Sequence, residues 1–339
     1  ELLCRSSKRR IKFSMPSLQG HFLNSYARRF IRRRYGFDAN ALAKQARRRL
    51  GSPKFWQWIH TRQLRLQPVD EKNFGNEWLE TIENNVAGEW LETKKAREDE
   101  NTIFYIHGGG YVCCSARTHR PITATLARLT DFRVFSLNYR LAPENRFPAA
   151  LDDALVAYEW LLREQNISSS KVALAGDSAG GGLVLALLLR LREKGLPLPA
   201  CAACFSPWTD LAGTGESTRA NADRDDFFYP ENIPEFAAAY LGEASAEQPE
   251  ASPVFDKEDF KNLPPLLFHV GSTEMLLDDS RRIYEKLARP YKGTEEKKNP
   301  NELKIYDDIF HCWQMAVGFL PEASDSLSRA AAFIRRHTA

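Results

Sequence analysis

The sequence predicts an α/β fold with a mostly parallel sheet of roughly eight strands and helices on both faces. Three observations carry this expectation. Short apolar runs alternate along the chain with longer runs of helical period. Runs such as "VALAG" are apolar throughout, as strands covered on both faces are. Glycine clusters stand where two of these runs end, at the edge where open parallel sheets bind ligands. The 339 residues, 43% hydrophobic, suit one large domain with an appendage or two domains.

The elements follow in order. Residues 1–75 are basic, rich in Trp and Phe, and read as helical. Residues 1–50 hold 14 Lys/Arg against 2 Asp/Glu, a local +12 that leaves −9 in the remainder. Leu18, Phe22, Tyr26 and Phe30 recur every four residues, as in a basic amphipathic helix. Such a helix either contacts an anionic membrane surface or docks on the core by its apolar stripe, basic face in water. The docked arrangement is the expectation. Nucleic acid is not expected as a partner, because no recognition motif accompanies the charge.

Beyond this segment, "TIENNVAGEWLET" reads as two short strands around Ala87-Gly88. "TIFYI", "RVFSLNYR", "KVALAG", "AACAACFSPW", "PLLFHVGS" and "ELKIYD" read as strands. Helices are expected over 149–165, with Leu151, Leu155, Tyr158 and Leu162 on one stripe, and over 179–195, closed by Gly195. Two more span 278–289 and 322–337. Residues 213–255, polar with several prolines, and the charged loop 289–301 interrupt the alternation.

The six cysteines form no disulfide framework. Cys201 and Cys204 lie three apart in a strand, so they point to opposite faces and read as core. Asn166-Ile167-Ser168 is a single glycosylation sequon, a weak signal. No charge-free apolar stretch reaches about 18 residues. The chain starts at Glu1 rather than Met, so a preceding signal or anchor stays open. The compartment is not encoded; a cytoplasmic or ER/membrane-associated placement fits best.

The chemistry is expected where "KVALAG" meets the next helix. There Gly176-Asp177-Ser178-Ala179-Gly180 places one hydroxyl among small residues. A sharp strand-to-helix turn needs small neighbours, and it exposes the hydroxyl at a helix N-terminus that favours negative charge. This is the nucleophile-elbow pattern Gly-x-Ser-x-Gly. After "TIFYI" comes His107-Gly108-Gly109-Gly110-Tyr111. The amides of Gly109, Gly110 and Ala179 could together form a three-donor oxyanion hole, with His107 bracing the loop. A phosphate-binding loop is disfavoured, since no Lys-Ser/Thr follows.

With "HGGGY", "YRLAPENRFPAALDDA", "GDSAGGGL", "SPWTDL" and "LLFHVGSTEMLLDDS" in this order over roughly residues 78–339, the chain resembles the hormone-sensitive-lipase-like esterases of the α/β-hydrolase superfamily. The resemblance implies an α/β-hydrolase domain over 76–339. It also implies a helical cap from residues 1–75 with part of 213–255. It further implies a Ser–acid–His triad. Of the seven histidines only His311 follows the last strand, where the superfamily's chain order places the base. The family's Asp-Pro-Leu-x-Asp run aligns its first Asp with Glu274 and its second with Asp278. Glu274 is favoured as the acid and Asp278 is the alternative, although a carboxylate there is also a plain helix cap.

The resemblance further implies that Arg140, Glu144 and Asp152 form a buried network beside the elbow. Asp177 would shape the turn, Trp208 and Asp210 would support a loop, and Tyr111 and Trp313 would line the pocket. Cys113, Cys114 and Cys312 are expected near the site without a role of their own. No metal or organic cofactor is required. The function implied is a serine carboxylesterase acting on short-chain acyl esters of small to moderately hydrophobic alcohols. Two alternatives accompany it. One is an acetyl-ester or lactone hydrolase of sterols or secondary metabolites at a membrane surface; the other is a ligand-binding member without turnover. Peripheral membrane contact through the basic segment and a homodimer both stay open.

Overall fold

Apolar runs closed by turns form a single eight-stranded sheet in the computed structural model. The structure describes residues 16–35, 38–51, 78–82, 86–91, 96, 101–291 and 298–338. Expectations for the rest of the basic segment, including Cys4 and His60, and for 292–297 of the charged loop lie outside the described residues.

The strands are β1 (Trp78–Ile82), β2 (Val86–Leu91), β3 (Thr102–Ile106), β4 (Arg133–Asn138), β5 (Val172–Asp177), β6 (Cys201–Phe205), β7 (Leu266–Gly271) and β8 (Glu302–Tyr306). They lie in the order β1-β2-β4-β3-β5-β6-β7-β8. β2 runs antiparallel to β1 and β4, and all later pairs are parallel. Every residue of β3, β5, β6 and β7 is buried, which is why these strands read as unbroken apolar runs.

The expected turn at Ala87-Gly88 is instead interior to β2, where Gly88 pairs with Leu137 of β4. The glycine serves a close approach rather than a turn: a Cβ there would overlap the Phe135 ring. That ring is itself packed among Trp90, Phe104 and Trp160.

Helices fill the crossovers. A helix over Arg120–Thr130, absent from the sequence expectations, joins β3 to β4. Its three threonines dilute the apolar period, but a parallel pair needs a crossover of this kind. In chain order the helices are α1 (Leu18–Tyr26), α2 (Ala39–Arg49), α3 (Arg120–Thr130), α4 (Ala149–Arg163), α5 (Ala179–Glu193), α6 (Ser217–Ala220), α7 (Asn232–Leu241), α8 (Leu277–Ala288) and α9 (Pro321–His337). α3 packs on α9 and α4 on α5. All residues of α5 from Ala179 to Leu191 are buried. Its end is a Schellman cap: Gly195 takes φ 64°, and Leu196 N–H donates to Leu191 O at 2.9 Å.

The amino-terminal segment departs from its expected orientation. α1 runs into a π-turn over Ala27–Ile31, with Arg32 N–H donating to Ala27 O at 2.9 Å. The buried positions are Gly20, Leu23, Asn24, Ala27 and Ile31. The apolar stripe instead faces solvent: Leu18 is 86%, Phe22 56%, Tyr26 37% and Phe30 50% exposed. Polar tethers set this rotation. Ser17 N–H and Oγ–H donate to Glu322 at 2.6 and 2.9 Å, and Asn24 Nδ2–H donates to Asp308 O at 2.6 Å.

Gly88→Ala is expected to destabilise the protein by about 1–3 kcal/mol, since the Phe135 ring has nowhere to move. Urea unfolding checks it: the midpoint falls while the slope stays unchanged.

Candidate active site

β5 delivers Ser178 to the carboxyl edge of the sheet, where α5 begins. Its backbone lies at φ 52°, ψ −125°, a conformation a non-glycine residue holds only when its surroundings enforce it. Three hydrogen bonds do so. Ser178 N–H donates to Phe205 O at 2.8 Å, and Ser178 O accepts from Gly182 and Trp208 N–H at 3.0 and 2.9 Å. The first turn of α5 lies directly against β3, so a Cβ on Gly180 would overlap the Ile106 and His107 carbonyls.

Glu274 and His311 come together from two different loops. Glu274 follows β7 and His311 follows β8. His311 Nδ1–H donates to Glu274 Oε2 at 2.6 Å, with both side chains buried. The other carboxylate oxygen, Oε1, accepts from Ser206 Oγ–H at 2.7 Å and Gly271 N–H at 2.6 Å. This fixes the acid's plane and leaves Oε2 for the imidazole. Asp278 is elsewhere: its carboxylate accepts from Ser217 N–H at 2.8 Å in the first turn of α8. His269 lies within β7 with its ring against Ser326 Oγ at 2.8 Å, and burial lowers it to about 3.

The glycine loop after β3 is held from beneath by Asp177. That carboxylate accepts from Gly108 N–H at 3.1 Å, Tyr105 O–H at 2.6 Å and His119 Nε2–H at 3.1 Å. Burial works against both charges of the Asp177–His119 pair, but their mutual attraction and hydrogen bond prevail. His119 is thereby raised to about 9 and Asp177 lowered to about 2. His107, lowered to about 3 chiefly by burial, is neutral and donates from Nδ1 to Gly108 O at 2.7 Å. Gly109 and Gly110 take φ 116° and 60°. Among the described residues their N–H groups have no protein acceptor, so they are free to meet a developing oxyanion.

Ser178, His311, Gly109, Gly110, His119 and Asp177 open into one cavity of about 720 Å³, mouth included. Its remaining walls are largely apolar, with Leu50 at the end of α2, Phe227, Phe228, Ile233 and Phe236 near or on α7, and Leu276 and Met315. The Phe227 and Phe228 rings stand 5.4 and 4.9 Å from the His311 ring. Asp225 staples them in place, accepting from Phe227, Phe228 and Met275 N–H at 2.8, 2.9 and 2.8 Å. Cys114 and Cys312 also reach the cavity, and Cys312 Sγ is 3.3 Å from His311 Nε2.

Several expectations are corrected. Arg140, Glu144 and Asp152 form no common network. Arg140 pairs with Asp153, Glu144 with Arg47 and Asp152 with Arg190: the successive carboxylates Asp152 and Asp153 of α4 face different neighbours, and Glu144 lies in the turn before that helix. Tyr111 and Trp313 do not line the cavity. Tyr111 stacks on Tyr240 at 3.7 Å, and Trp313 lies in the core against Tyr306. Trp208 does line it, and its Nε1–H donates to Asp210 O at 3.2 Å. Sequence reasoning missed His119, Ser206 and Asp225. Ser206 alone carried a signal, directly after β6 at the same edge as Ser178.

The His119–Asp177 pair makes stability depend on pH with a definite sign. His119 stabilises fully below its ordinary 6.5, and that contribution is lost as pH rises through about 9. Asp177 contributes above its ordinary 3.8 and loses this as pH falls through about 2. His119→Gln is therefore expected to cost about 3 kcal/mol near neutrality and much less at alkaline pH. Paired thermal or urea melts across that range check it.

The sequence from 103 to 315 matches the model of a family described as having an alpha/beta hydrolase fold. The chain is 39% identical over 245 residues to an acetyl-hydrolase of Streptomyces hygroscopicus, covering 72% of this chain and 79% of that protein. The crystal structure of an esterase from the bacterial hormone-sensitive lipase family superposes with TM-score 0.79 at 35% identity, covering 96% of this chain and 100% of that one. An esterase crystal soaked with p-nitrophenyl butyrate superposes with TM-score 0.76 at 34% identity, covering 95% and 99%. The chain belongs to the α/β-hydrolase fold family and is a serine ester hydrolase related to the hormone-sensitive-lipase-like carboxylesterases.

Proposed function

We propose that the chain hydrolyses short-chain acyl esters of small to moderately hydrophobic alcohols through an acyl-enzyme on Ser178. The observation that carries this reading is the 2.6 Å Glu274–His311 pair, whose imidazole lines the cavity that also holds Ser178. A serine hydroxyl is a weak nucleophile until a positioned base takes its proton. With Nδ1–H committed to Glu274, the lone pair of His311 Nε2 is the base. Ser178 Oγ attacks the acyl carbon while its proton passes to Nε2. The carbonyl oxygen becomes an oxyanion against the amides of Gly109, Gly110 and Ala179. Each such donor is worth about 2.7–4 kcal/mol in the transition state. His311 returns the proton to the departing alcohol, and a water, deprotonated by the same nitrogen, releases the acid.

The apolar walls favour an ester without a charged alcohol, and the acetyl-hydrolase relative supports a short acyl group. Residues 1–75 with part of 213–255 act as a cap over a catalytic body of residues 76–339. The described parts of that cap supply Leu50, Phe227, Phe228, Ile233 and Phe236 to the cavity.

A nitrophenyl-ester panel from acetate to laurate tests the assignment. Turnover is expected to peak between acetate and butyrate, and Ser178→Ala is expected to lose about 10⁶-fold in kcat. Glu274→Gln is expected to lose about 10⁴-fold, and Asp278→Asn to stay within a few-fold of wild type. A large loss in Asp278→Asn with near-normal Glu274→Gln would transfer the acid's role, and ligand binding without turnover would overturn the mechanism.

A further inference from the structure

We infer that the outward face of residues 18–33 is a docking surface for an anionic lipid–water interface. The inference rests on the hydrolase reading for its consequence, not for the binding itself. Four large apolar side chains, Leu18, Phe22, Tyr26 and Phe30, stand exposed in one row along α1 and the π-turn. Among the described residues they are the large hydrophobic side chains that face solvent. Scattered exposed apolar residues are ordinary, but a continuous row is a contact surface. The Tyr26 and Phe30 rings touch, with centroids 4.8 Å apart. Four-residue spacing drifts by about 40° per step in a regular α-helix. The wider π-turn counters that drift and returns Phe30 to the row.

Charge selects the occupant. Residues 2–37 carry ten Lys/Arg and no Asp/Glu. Arg28 and Arg32 are bonded to the body of the protein, but Arg29 and Arg33 are exposed beside Phe30 without such bonds among the described residues, and Arg29 lies 5.9 Å from its ring centroid. Aromatic and aliphatic side chains that enter the acyl boundary, with guanidinium groups at headgroup level, suit an anionic bilayer surface. A second copy of the chain would bring two such cationic segments together.

The surface is mechanically joined to the cavity. Arg28 Nε–H donates to Asp226 at 2.7 Å, and Arg28 Nη2–H to Asp223 O at 2.8 Å. Arg32 donates to Phe228 O at 2.9 Å and Ala222 O at 2.6 Å. The element that meets the lipid therefore holds the loop whose Phe227 and Phe228 wall in His311. Docking places the cavity's aromatic wall at the interface, where apolar esters concentrate.

Co-sedimentation with phosphatidylglycerol-containing and pure phosphatidylcholine vesicles tests this with the full chain, and it needs no turnover. The expected result is partition onto the anionic vesicles, weakened by added salt and absent on the neutral ones. Phe22→Ser/Phe30→Ser is expected to lower partition at least about tenfold, with the melting temperature and hydrolysis of soluble p-nitrophenyl acetate unchanged. Arg29→Glu/Arg33→Glu is expected to abolish the preference for anionic lipid. Wild-type protein that ignores both vesicles, or a double-Phe variant that partitions like wild type, overturns the inference. So does a concentration-dependent dimer that the double-Phe variant dissolves, which would make a second copy the occupant. Failure to hydrolyse the nitrophenyl ester would instead count against the catalytic reading alone.

Discussion

The strained backbone of Ser178 is the constraint on which the site depends. A non-glycine residue at positive φ costs on the order of 1–3 kcal/mol, and the surroundings must impose it. Here the enforcement comes from the sheet. Ser178 N–H is bonded to the end of β6, and its carbonyl takes two donors, one from α5 and one from the loop after β6. The serine is thus fixed to three elements at once, which lets one hydroxyl stand at the mouth of a helix while its backbone stays buried. The glycines around it follow from the same requirement, since α5 must begin within van der Waals distance of the β3 carbonyls.

Two buried carboxylates complete the arrangement, and each is retained because its oxygens are shared among several donors. Asp177 holds the glycine loop, one tyrosine and a charged imidazole. Glu274 divides its oxygens between fixed scaffold donors and His311. A buried charge with fewer partners would be neutralised or expelled. The two carboxylates hold different parts of the site. Asp177 anchors the amide of Gly108 in the glycine loop, and Glu274 receives the Nδ1–H of His311 and so orients its ring. Asp225 links the second to the cavity wall, because one carboxylate receives both the Phe227–Phe228 turn and the amide after Glu274. Burial raises Asp225, and its three backbone amides oppose that rise, in keeping with a structural staple.

Much of this was legible in the sequence. Strands β3, β5, β6 and β7 showed themselves because burial on both faces makes them near-continuous apolar runs. Ser178, the glycine loop and His311 could be singled out as candidates because turn geometry and chain order confine them, and the structure brings them to one cavity. The choice between Glu274 and Asp278 was open in the sequence because both carboxylates follow β7, four residues apart; in the structure Glu274 faces His311, and Asp278 accepts from Ser217 N–H in the first turn of α8. Arg140, Glu144 and Asp152 misled because adjacent charges in sequence say nothing about which helix stands opposite. Gly88 misled because a glycine that makes room for a ring looks like a glycine that makes a turn.

The orientation of α1 is the deepest of these gaps, and its cause is general. A four-residue apolar period shows that a helix has two unlike faces but not which face meets the protein. The usual inference sends the apolar face inward, because burying it yields about 25 cal/mol per Å². In this chain small residues at Gly20 and Ala27 allow close approach on another face, and Ser17, Asn24, Arg28 and Arg32 supply directional bonds to the body. Directional bonds fix rotation about the helix axis, whereas apolar contact alone tolerates several rotations. The polar side chains therefore decide the face, and the larger apolar area is left outside. The outward row of Leu18, Phe22, Tyr26 and Phe30 is thus what remains once the directional bonds have set the rotation of α1, and the helix is oriented by its polar tethers rather than by burial of its larger apolar side chains.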